Sequence, residues 1–529
     1  MAVSSIQKLT IGLFNVSFLA LLSGCGGGST MTDNNNNNNN NSTGDGDTGN
    51  RINWTQGVFQ PSSNFYQQCQ ALNEKHWLRS WSNETYLWYD EIIDRDPALT
   101  PAVNEYFKLL KTEQITESGA NKDNFHSSLP TAQWEAQSQS GVTFGYGFKV
   151  KLISSTAPRQ GVISYTEPNS PASAQNIARG FEILEIDGVD FINASTQAEV
   201  DILNAGLYPT QTGKSTTFVF KDINTDETRE VILNSQTITS RPVTNVKTLA
   251  DGTVGYFQFN SHNAIAEKPL YDAFNNLKAS NVTDLIIDIR YNGGGFLQMA
   301  SQVAYMIAGP ANTNGKVFEK TIFNDQHPTF NPVTGQRLEP VMFTDEFVGF
   351  AENPALIPGT PLPSLNLKRV YLLTTSSTCS ASEAIINGLR GADIEVIQIG
   401  AGTCGKPYGF YATDNCDTTY FSIQFTGENN KGFGEYSDGF APQNTTDNAR
   451  LPVRIAGCAV ADDFSHQLGD PEEAVLKAAL GYRDNGSCPA ASSIASKQGF
   501  APARFGDTPA VLDTRAGSLA EQNKILPSH

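Results

Sequence analysis

The stretch RVYLLTTSSTCSASEAIINGLRG, residues Arg369–Gly391, decides the predicted fold of the carboxyl-terminal half of the chain. Its opening run, RVYLLTT, is apolar and β-branched, which is typical of a buried strand. The closing run, SASEAIINGLRG, has the spacing of an amphipathic helix. A short turn of serine, threonine and cysteine joins the two, so the stretch predicts a strand that passes directly into a helix.

The same alternation extends on both sides of this stretch. Further strands are predicted at GTVGYFQF, DLIIDIR and IEVIQIG, and further helices at AEKPLYDAFNNLKAS and FLQMASQVAYMIAG. Apolar strands that alternate with helices indicate βαβ units and a largely parallel sheet. The proline-rich residues 311–368 interrupt the pattern and are interpreted as an insertion.

The turn of the opening stretch contains a candidate nucleophile, Ser380. With Glu383 it forms an S-x-x-E capping box, so a purely structural role as a helix cap is the alternative. Open α/β sheets place their sites at the carboxyl ends of the strands, where this serine falls. The first amides of its helix, beginning with Ala381, point towards the space beside such a serine. They could therefore stabilise an oxyanion.

A second strand-to-helix junction, DIRYNGGG at Asp288–Gly295, is rich in glycine. Free backbone N–H groups and the helix dipole at such a junction favour negative charge. It matches neither a phosphate-binding P-loop nor a dinucleotide fingerprint. It could supply a second oxyanion donor, although a tight structural turn is the alternative.

The candidate general base is Lys406, in AGTCGKPYGF, which follows the strand IEVIQIG. A lysine can act as a base when burial lowers its pKa. A solvated surface lysine is the structural alternative. Other hydrolases remain open, with His262 or His327 as the base for the same serine, or with Cys379 as the nucleophile.

Residues 141–236 are rich in short β-strands and glycine turns. Gly145-Tyr146-Gly147-Phe148 looks like the carboxylate-binding loop of PDZ domains, whose glycines allow backbone N–H groups to approach a peptide terminus. SPASAQNIARGFEILEIDG, Ser170–Gly188, is similar to a second PDZ signature. An unrelated small β domain is the alternative. A PDZ domain would bind an extended peptide at a sheet edge, with the helix around Gln197–Leu203 as the other wall of the groove.

The amino terminus has the features of a bacterial lipoprotein signal. Lys8 precedes an apolar run, Leu9–Leu22, which is short for a membrane span, and LSGC resembles a lipobox ending at Cys25. Gly26 after the cysteine favours the outer membrane. An ordinary secretory signal with a chance cysteine is the alternative. The asparagine- and glycine-rich residues 26–52 are predicted to be a flexible linker.

Composition limits the classes of function. The net charge is −18, and no cluster of basic residues is present, which argues against nucleic acid as a partner. Apart from Cys25, six cysteines remain, an even number that fits an exported protein with disulfides. Proximity suggests Cys404–Cys416 and Cys458–Cys488 as pairs. No cysteine or histidine grouping has zinc spacing, so neither metal nor cofactor is expected.

Together these motifs resemble the C-terminal processing peptidases, or tail-specific proteases. Ser380-Ala381-Ser382-Glu383 matches the S-A-S-E of this family, Gly405-Lys406 its G-K, and Asp288–Gly295 its D-L-R-x-N-P-G-G, with Gly293 in place of the proline. The resemblance implies that Ser380 is the nucleophile, that Lys406 is the base, and that the amides of Ala381 and Gly294 form the oxyanion hole.

The sequence departs from the family at two places near these residues. Many members have a glutamine four residues after the lysine, where this chain has Phe410, and Gln424 is a candidate replacement. A Cys379–Cys404 disulfide would join the two catalytic segments, and it competes with the Cys404–Cys416 pairing.

The predicted fold is a multidomain α/β protein with a crotonase- or ClpP-like catalytic core, an inserted or preceding PDZ domain and a small N-terminal helical domain. The predicted divisions are a signal peptide at 1–25, a linker at 26–52, a helical domain at 53–138, a PDZ domain at 139–238, a catalytic domain at 239–486 and a tail at 487–529. The predicted function is a serine endopeptidase of the bacterial cell envelope. It would be an outer-membrane lipoprotein facing the periplasm or the cell surface, attached to the membrane only by its lipid. Its substrates would be proteins or peptides with free C-terminal tails. A catalytically inactive PDZ scaffold is the alternative.

Overall fold

A computed structural model of the chain describes residues 54–446 and 450–489. These residues belong to one structural unit that begins at Trp54. The predicted signal peptide with its lipidated Cys25, the linker at 26–52 and most of the predicted tail lie outside the described residues. Within the described part, no helix is both long and apolar enough to span a bilayer.

The N-terminal region consists of helices around an aromatic cluster. Its elements are α1 (Ala71–Thr85), α2 (Val103–Lys108), β1 (Ser127–Pro130) and α3 (Thr131–Ser140), with 3₁₀ turns at Ser62–Asn64, Tyr89–Glu91 and Pro97–Leu99. The tryptophans predicted to lie on a helix face, Trp77 and Trp81, stack with ring centroids 5.2 Å apart. Trp77 also contacts Tyr420 of the catalytic region, at 5.5 Å between ring centroids. The aromatic face of α1 is therefore shared with the rest of the protein.

Residues 142–239 form a small β domain. Its elements are β2 (Val142–Gly145), β3 (Phe148–Ser154), β4 (Gln160–Thr166), α4 (Pro171–Ala174), β5 (Phe181–Ile186), β6 (Val189–Asp190), α5 (Gln197–Leu207), β7 (Ser215–Asp222), β8 (Thr228–Asn234) and β9 (Gln236–Thr239). The sheet is antiparallel in the order β3-β4-β5-β7-β8, with β6 paired to β5. The antiparallel pair β2–β9 lies where the domain joins the chain on either side. Strand β3 is an edge strand of this sheet.

The remaining elements build the domain predicted to be catalytic, which is called the catalytic region below. They are β10 (Val243–Leu249), β11 (Val254–Phe259), the 3₁₀ turn Ala264–Ala266, α6 (Glu267–Ala279), β12 (Asp284–Asp288), α7 (Leu297–Ala308), α8 (Pro310–Thr313), β13 (Val317–Phe323), β14 (Val341–Met342), β15 (Arg369–Thr374), α9 (Ala381–Gly391), β16 (Glu395–Gly400), β17 (Tyr408–Gly409), β18 (Thr413–Asn415), β19 (Thr418–Phe421), β20 (Phe425–Glu428), β21 (Phe440–Pro442), β22 (Val453–Ile455), β23 (Gly457–Ala459) and α10 (Ala474–Asn485). The central sheet has the order β10-β11-β12-β15-β16-β23, and every pair except β10–β11 is parallel.

Helices cover both faces of the central sheet. On β12, Leu285 and Ile287 pack into the core that contains residues of α6, α7 and α9. The residue between them, Ile286, faces the opposite side and packs into the core with Val475 of α10. This alternation explains why the strand reads as a continuous apolar run, since both of its faces are buried. The mixed α/β fold predicted from the sequence is confirmed.

Two smaller sheets connect the catalytic region to its surroundings. The insertion at 311–368 contributes β13 and β14 to the antiparallel sheet β14-β13-β20-β17. The N-terminal strand β1 pairs with β19 in the sheet β1-β19-β18. The N-terminal region is thus joined to the catalytic region through backbone hydrogen bonds.

The described cysteines form three disulfides, Cys69–Cys416, Cys379–Cys404 and Cys458–Cys488. The proposed Cys404–Cys416 pairing is wrong, because Cys416 reaches Cys69 across 347 residues of sequence. Sequence proximity predicted Cys458–Cys488, whose partners are separated by 30 residues. It failed for Cys416 because the N-terminal region folds back onto the loop that carries this cysteine.

Candidate active site

Ser380 lies at the turn between β15 and α9, where the strand-to-helix pattern predicted a nucleophile. It adopts a positive φ of 59°, a conformation that is uncommon and strained for a residue with a side chain. The residue is fully buried, and its Oγ makes no hydrogen bond within the part of the chain that the structure describes. The predicted capping box is present through Glu383, which accepts the backbone N–H of Ser380, while the hydroxyl of Ser380 makes no cap hydrogen bond.

Glu383 connects the serine segment to the lysine segment. Its Oε2 accepts the backbone N–H of Ser380 and that of Lys406, each at 2.9 Å. Its Oε1 accepts the backbone N–H of Gly405 at 2.9 Å and the hydroxyl of Thr403. Burial raises the pKa of Glu383, while these hydrogen bonds lower it. One side chain thus holds the backbone of both predicted catalytic residues.

The Cys379–Cys404 disulfide makes a second connection between the same segments. Cys379 directly precedes Ser380, and Cys404 lies two residues before Lys406. The backbone N–H of Cys404 also donates to the carbonyl oxygen of Thr378 at 3.0 Å. This arrangement follows from the sheet, because β15 and β16 are parallel neighbours whose carboxyl ends lead into these two segments. A thiol nucleophile at Cys379 is incompatible with this disulfide.

The Lys406 side chain is fully buried beside two aromatic rings. Its Nζ lies 4.6 Å from the ring centroid of Phe410 and 4.8 Å from that of Phe125. Burial lowers the pKa of this amine to about 7, and the negative charges of Asp123 and Glu383 oppose the decrease. An amine in this environment is neutral for part of the time near neutral pH, as a general base requires.

The glycine-rich junction packs directly against Ser380. Gly294 has a φ of 106°, and a Cβ built on it would lie 2.9 Å from Ser380 Cβ and 3.0 Å from the backbone nitrogen of Ala381. Only glycine fits this close approach. The sequence prediction that this junction and the serine turn meet is thus reproduced in the geometry.

The backbone N–H of Gly294 is engaged within the protein. It donates to Asn292 Oδ1 at 3.0 Å, and the same oxygen accepts Nδ1–H of His262, also at 3.0 Å. The backbone N–H of His262 in turn donates to the carbonyl oxygen of Gly294 at 3.1 Å. Asn292 therefore holds the predicted oxyanion donor and a buried histidine together. No role for Asn292 was predicted from the sequence, although this residue lies in the quoted glycine motif.

His262 is linked to the serine turn through Asn292 and Gly294. It is fully buried, burial lowers its pKa to about 4, and its Nε2 makes no hydrogen bond within the described residues. His327 lies elsewhere, with its Nε2 bonded to the carbonyl oxygen of Glu84 at 2.8 Å. Of the two histidines proposed as alternative bases, only His262 is adjacent to the Gly294 turn.

A charged network connects the small β domain to the glycine-rich junction. Arg290 is fully buried and binds Asp288, Glu473 and Asp462. From the small β domain, Arg179 binds the same Asp462 at 2.6 Å and donates to Tyr291 Oη, also at 2.6 Å. Because every charge in it is paired, the network can stay ionised when buried.

The predicted carboxylate loop, Gly145–Phe148, immediately precedes the edge strand β3. The ring of Tyr146 is buried, and its hydroxyl donates to Thr216 Oγ1 at 2.8 Å. Gly147 has a φ of 88° and packs against Ser170, so a side chain would not fit there. Strand β3 contacts the serine turn, since Lys151 Nζ donates to Ser376 Oγ at 3.0 Å and to Ser377 Oγ at 2.9 Å.

Gln424, the candidate replacement for the missing glutamine, is buried beside the loop that carries Lys406. Its Oε1 accepts the backbone N–H of Tyr411 at 2.7 Å. Its orientation of Lys406 stays a prediction.

Among the described residues, one group has metal-ligand spacing, Cys379, Glu383 and Cys404, and its two sulfur atoms are joined in a disulfide.

Comparison with known proteins shows which family the central part of this chain matches. The model of Peptidase family S41 matches residues 253–411. A carboxyl-terminal-processing protease from Picosynechococcus is 24% identical over 270 residues, which cover 51% of this chain and 56% of that protein. The match thus spans less than two thirds of that relative.

Two solved structures resemble the fold. One is an assigned S41 protease from Bacteroides fragilis, which is 22% identical with a TM-score of 0.53 and covers 78% of this chain and 97% of its own. The photosystem II D1 C-terminal processing protease is 17% identical with a TM-score of 0.43, over 74% of this chain and 93% of its own.

The class defined by the matched domain is that of the serine-type peptidases. The chain carries a peptidase family S41 domain over residues 253–411, and the predicted resemblance to the C-terminal processing peptidases is confirmed.

Proposed function

We propose that this chain is an endopeptidase in which Ser380 is the nucleophile and Lys406 the general base. The observation that carries the proposal is that Glu383 binds the backbone N–H groups of both residues. Both side chains are fully buried, which supports the unusual protonation state that a lysine base needs. The Cys379–Cys404 disulfide, which joins the same two segments, adds to this support.

In the proposed mechanism, the neutral Lys406 amine takes the proton from Ser380 Oγ as the oxygen attacks the scissile carbonyl carbon. A new C–O bond forms and the carbonyl π electrons move to the oxygen, which becomes an oxyanion. As the C–N bond breaks, the Lys406 ammonium returns its proton to the leaving amine. Water then hydrolyses the acyl-enzyme by the same steps, with Lys406 again accepting and returning a proton.

The oxyanion would be stabilised by the backbone N–H groups of Ala381 and Gly294. The Ala381 group begins α9, where N–H groups lack partners within the helix and the helix dipole favours negative charge. The Gly294 group donates to Asn292 Oδ1 at 3.0 Å in this structure. We therefore expect this hydrogen bond to be exchanged for one to the oxyanion when substrate binds.

For the small β domain we propose a PDZ-type role, in which the domain binds the free carboxyl terminus of a substrate. Strand β3 is at the edge of its sheet beside the Gly145–Phe148 loop, which is the position that strand addition requires. Lys151 on this strand contacts Ser376 and Ser377, close in sequence to Ser380. A tail added along β3 would thus be bound close to the serine turn.

The test compares the wild-type protein with its Ser380→Ala and Lys406→Ala variants on a peptide that has an apolar, free carboxyl terminus. Both variants should lose cleavage while keeping the circular dichroism and melting behaviour of a folded protein. The same peptide with an amidated terminus should be cleaved with a higher KM if the small β domain reads the carboxylate. Full activity in Lys406→Ala would refute the dyad.

His262 is a second candidate for the base, favoured by one observation. Its Nε2 is buried without a hydrogen bond in the described residues, and it lies next to the Gly294 turn that touches Ser380. Loss of cleavage in His262→Ala with full activity in Lys406→Ala would select it. The remaining candidate is a catalytically inactive scaffold. It would be favoured if a fluorophosphonate failed to label Ser380 after substrate had been added to the protein.

For localisation, we propose that the chain is a lipoprotein of the bacterial outer membrane. The three disulfides support an oxidising compartment. Metabolic labelling with a radioactive fatty acid should mark the wild-type protein and not a Cys25→Ser variant. Equal labelling of the two proteins would exclude lipidation at this cysteine.

A further inference from the structure

One side of the Lys406 pocket is built by the N-terminal region. The ring of Phe125, 4.8 Å from Lys406 Nζ, belongs to the segment that joins α2 to β1. The other contacting ring, Phe410, comes from the lysine's own loop. The amine therefore faces one apolar ring from each of these two segments.

The carboxylate of Asp123, two residues before Phe125, interacts electrostatically with the Lys406 amine. This carboxylate is buried, with 1% of the residue exposed. Oδ1 accepts the backbone N–H groups of Phe125 and His126 at 2.8 and 3.1 Å, and Oδ2 accepts the hydroxyl of Tyr86 at 2.8 Å. Three donors hold this carboxylate in one orientation.

The segment that carries Asp123 is firmly attached to the catalytic region. Strand β1, which follows it, pairs with β19 from Ser127 to Pro130. The backbone N–H of Leu87 donates to the carbonyl oxygen of Ile423 at 2.8 Å, and the Cys69–Cys416 disulfide joins the same regions. Asp123 thus belongs to a segment that is joined to the catalytic region by a strand pair, a backbone hydrogen bond and a disulfide.

Few other charges act on these two groups. Lys406 faces the acids Asp123 and Glu383. The titratable groups around Asp123, besides Lys406, are Tyr86, Tyr408, Lys111 and His126. Lys111 binds the backbone carbonyl of Asp123 at 3.0 Å, and burial lowers the pKa of His126 to about 4, so this histidine is neutral at pH 7.

We infer that Asp123 is a positioning residue of the active site, whose fixed negative charge orients the Lys406 amine and stabilises its protonated form during catalysis. The inference rests on the proposed function, in which Lys406 accepts the proton of Ser380. Asp123 exchanges no proton in this scheme. The N-terminal region would then complete the active site, and removing it would disable catalysis even with both dyad residues present.

The test is the pH dependence of kcat/KM for Asp123→Asn. Without the carboxylate charge the ammonium is less stable, so Lys406 loses its proton at lower pH and the acid limb of the profile moves to lower pH. The ratio of kcat/KM at pH 6 to that at pH 8 should rise by about threefold or more. Asp123→Glu, which keeps the charge, should leave this ratio near the wild-type value.

Two control variants separate charge from structure. Glu113→Gln removes one negative charge from an exposed ion pair with Arg95 in the same region, and it should leave the profile unmoved. Tyr86→Phe removes a donor to Asp123 without removing the charge, so it should change the rate or the stability without the shift to lower pH. If Asp123→Asn does not fold, Asp123→Ser carries the test, because its hydroxyl can accept the same backbone N–H groups.

The outcomes distinguish this inference from the proposed function. An unmoved limb in a folded Asp123→Asn or Asp123→Ser protein, with Lys406→Ala inactive, overturns the role of Asp123 and leaves the dyad intact. An active Lys406→Ala protein overturns the dyad itself. A shift of the same size in Glu113→Gln would show that general charge, and not Asp123, sets the limb.

Discussion

Lys406 and His262 are two bases buried close to the same serine turn, and burial acts on them in the same direction with opposite consequences. Both side chains are fully buried, and burial lowers the pKa of each. For Lys406 the pKa falls from 10.5 to about 7, and for His262 it falls from 6.5 to about 4. A catalytic base works best when its pKa lies near the operating pH. Burial therefore turns the lysine into a useful base and the histidine into a weak one.

Their neighbours reinforce the difference. Lys406 lies near the carboxylates of Glu383 and Asp123, which can stabilise the ammonium that forms when it accepts a proton. The Nδ1 partner of His262 is the neutral side chain of Asn292, so this partner offers no negative charge to stabilise a protonated imidazole ring. The histidine is better suited to holding the Gly294 turn through its backbone and its ring.

The largest expected effect, and the strongest test of Lys406 against His262 as the base, is the loss of activity in Lys406→Met. Methionine has a similar length and no basic nitrogen, so kcat should fall by about 10² to 10⁴-fold, the usual contribution of a general base. Steady-state cleavage of a peptide substrate measures it. The matched control is Lys278→Met, at an exposed lysine in the last turn of α6, which should leave kcat unchanged. A loss confined to His262→Ala would reverse the assignment.

Gly294→Ala should have the next largest effect, because this residue contacts both the serine turn and His262. The added Cβ would meet Ser380 Cβ at 2.9 Å, and φ is positive, so the serine turn must shift. Displacement of reacting groups by about 1 Å costs about 10²-fold in rate. Gly119→Ala is the control for backbone strain alone, since Gly119 also has a positive φ but nothing within 4 Å of its Cβ position. Equal activity of the two variants would show that contact with Ser380 is unimportant.

The pH profile sharpens the comparison without any substitution. Because a base must be deprotonated to act, kcat/KM should fall by about tenfold per pH unit below the pKa of the acting base. With Lys406 as the base, the decline begins at about pH 7, and with His262 it would begin near pH 4. A profile that stays flat from pH 7 to pH 5, in protein shown to remain folded, would contradict the lysine.

The proximity of the segments that carry Ser380 and Lys406 could be predicted from sequence because it depends on a local rule. Each residue follows an apolar strand, and the carboxyl ends of neighbouring parallel strands lie at one edge of a sheet. The observed register pairs β15 with β16 from Arg369 with Glu395 to Thr374 with Gly400. The glycine-rich junction after β12 obeys the same rule, since β12 is the other neighbour of β15.

The contribution of Asp123 and Phe125 could not be predicted in this way. They lie in a segment without helical or strand periodicity, and they reach Lys406 because β1 pairs with β19 and Cys69 bonds to Cys416. Both contacts join residues far apart in sequence, since Ser127 pairs with Phe421 and the disulfide has a separation of 347 residues. Nothing in the local sequence indicates them, and the failed Cys404–Cys416 pairing has the same origin.

The smallest effect concerns the stability of the folded protein, which the burial of Lys406 should lower. A pKa lowered by burial means that folding disfavours the ammonium, so Lys406→Met should raise the free energy of unfolding by a few kcal/mol at pH 7. Between about pH 7 and pH 10.5 the unfolded chain binds the proton and the folded protein does not, so wild-type stability rises with pH and the advantage of the variant should shrink. Urea denaturation at pH 7.5 and pH 9.5 measures both differences, with Lys278→Met as the reference. A variant that is less stable than the wild type at pH 7.5 would mean that Lys406 is held as a paired ammonium, which would count against its action as a base.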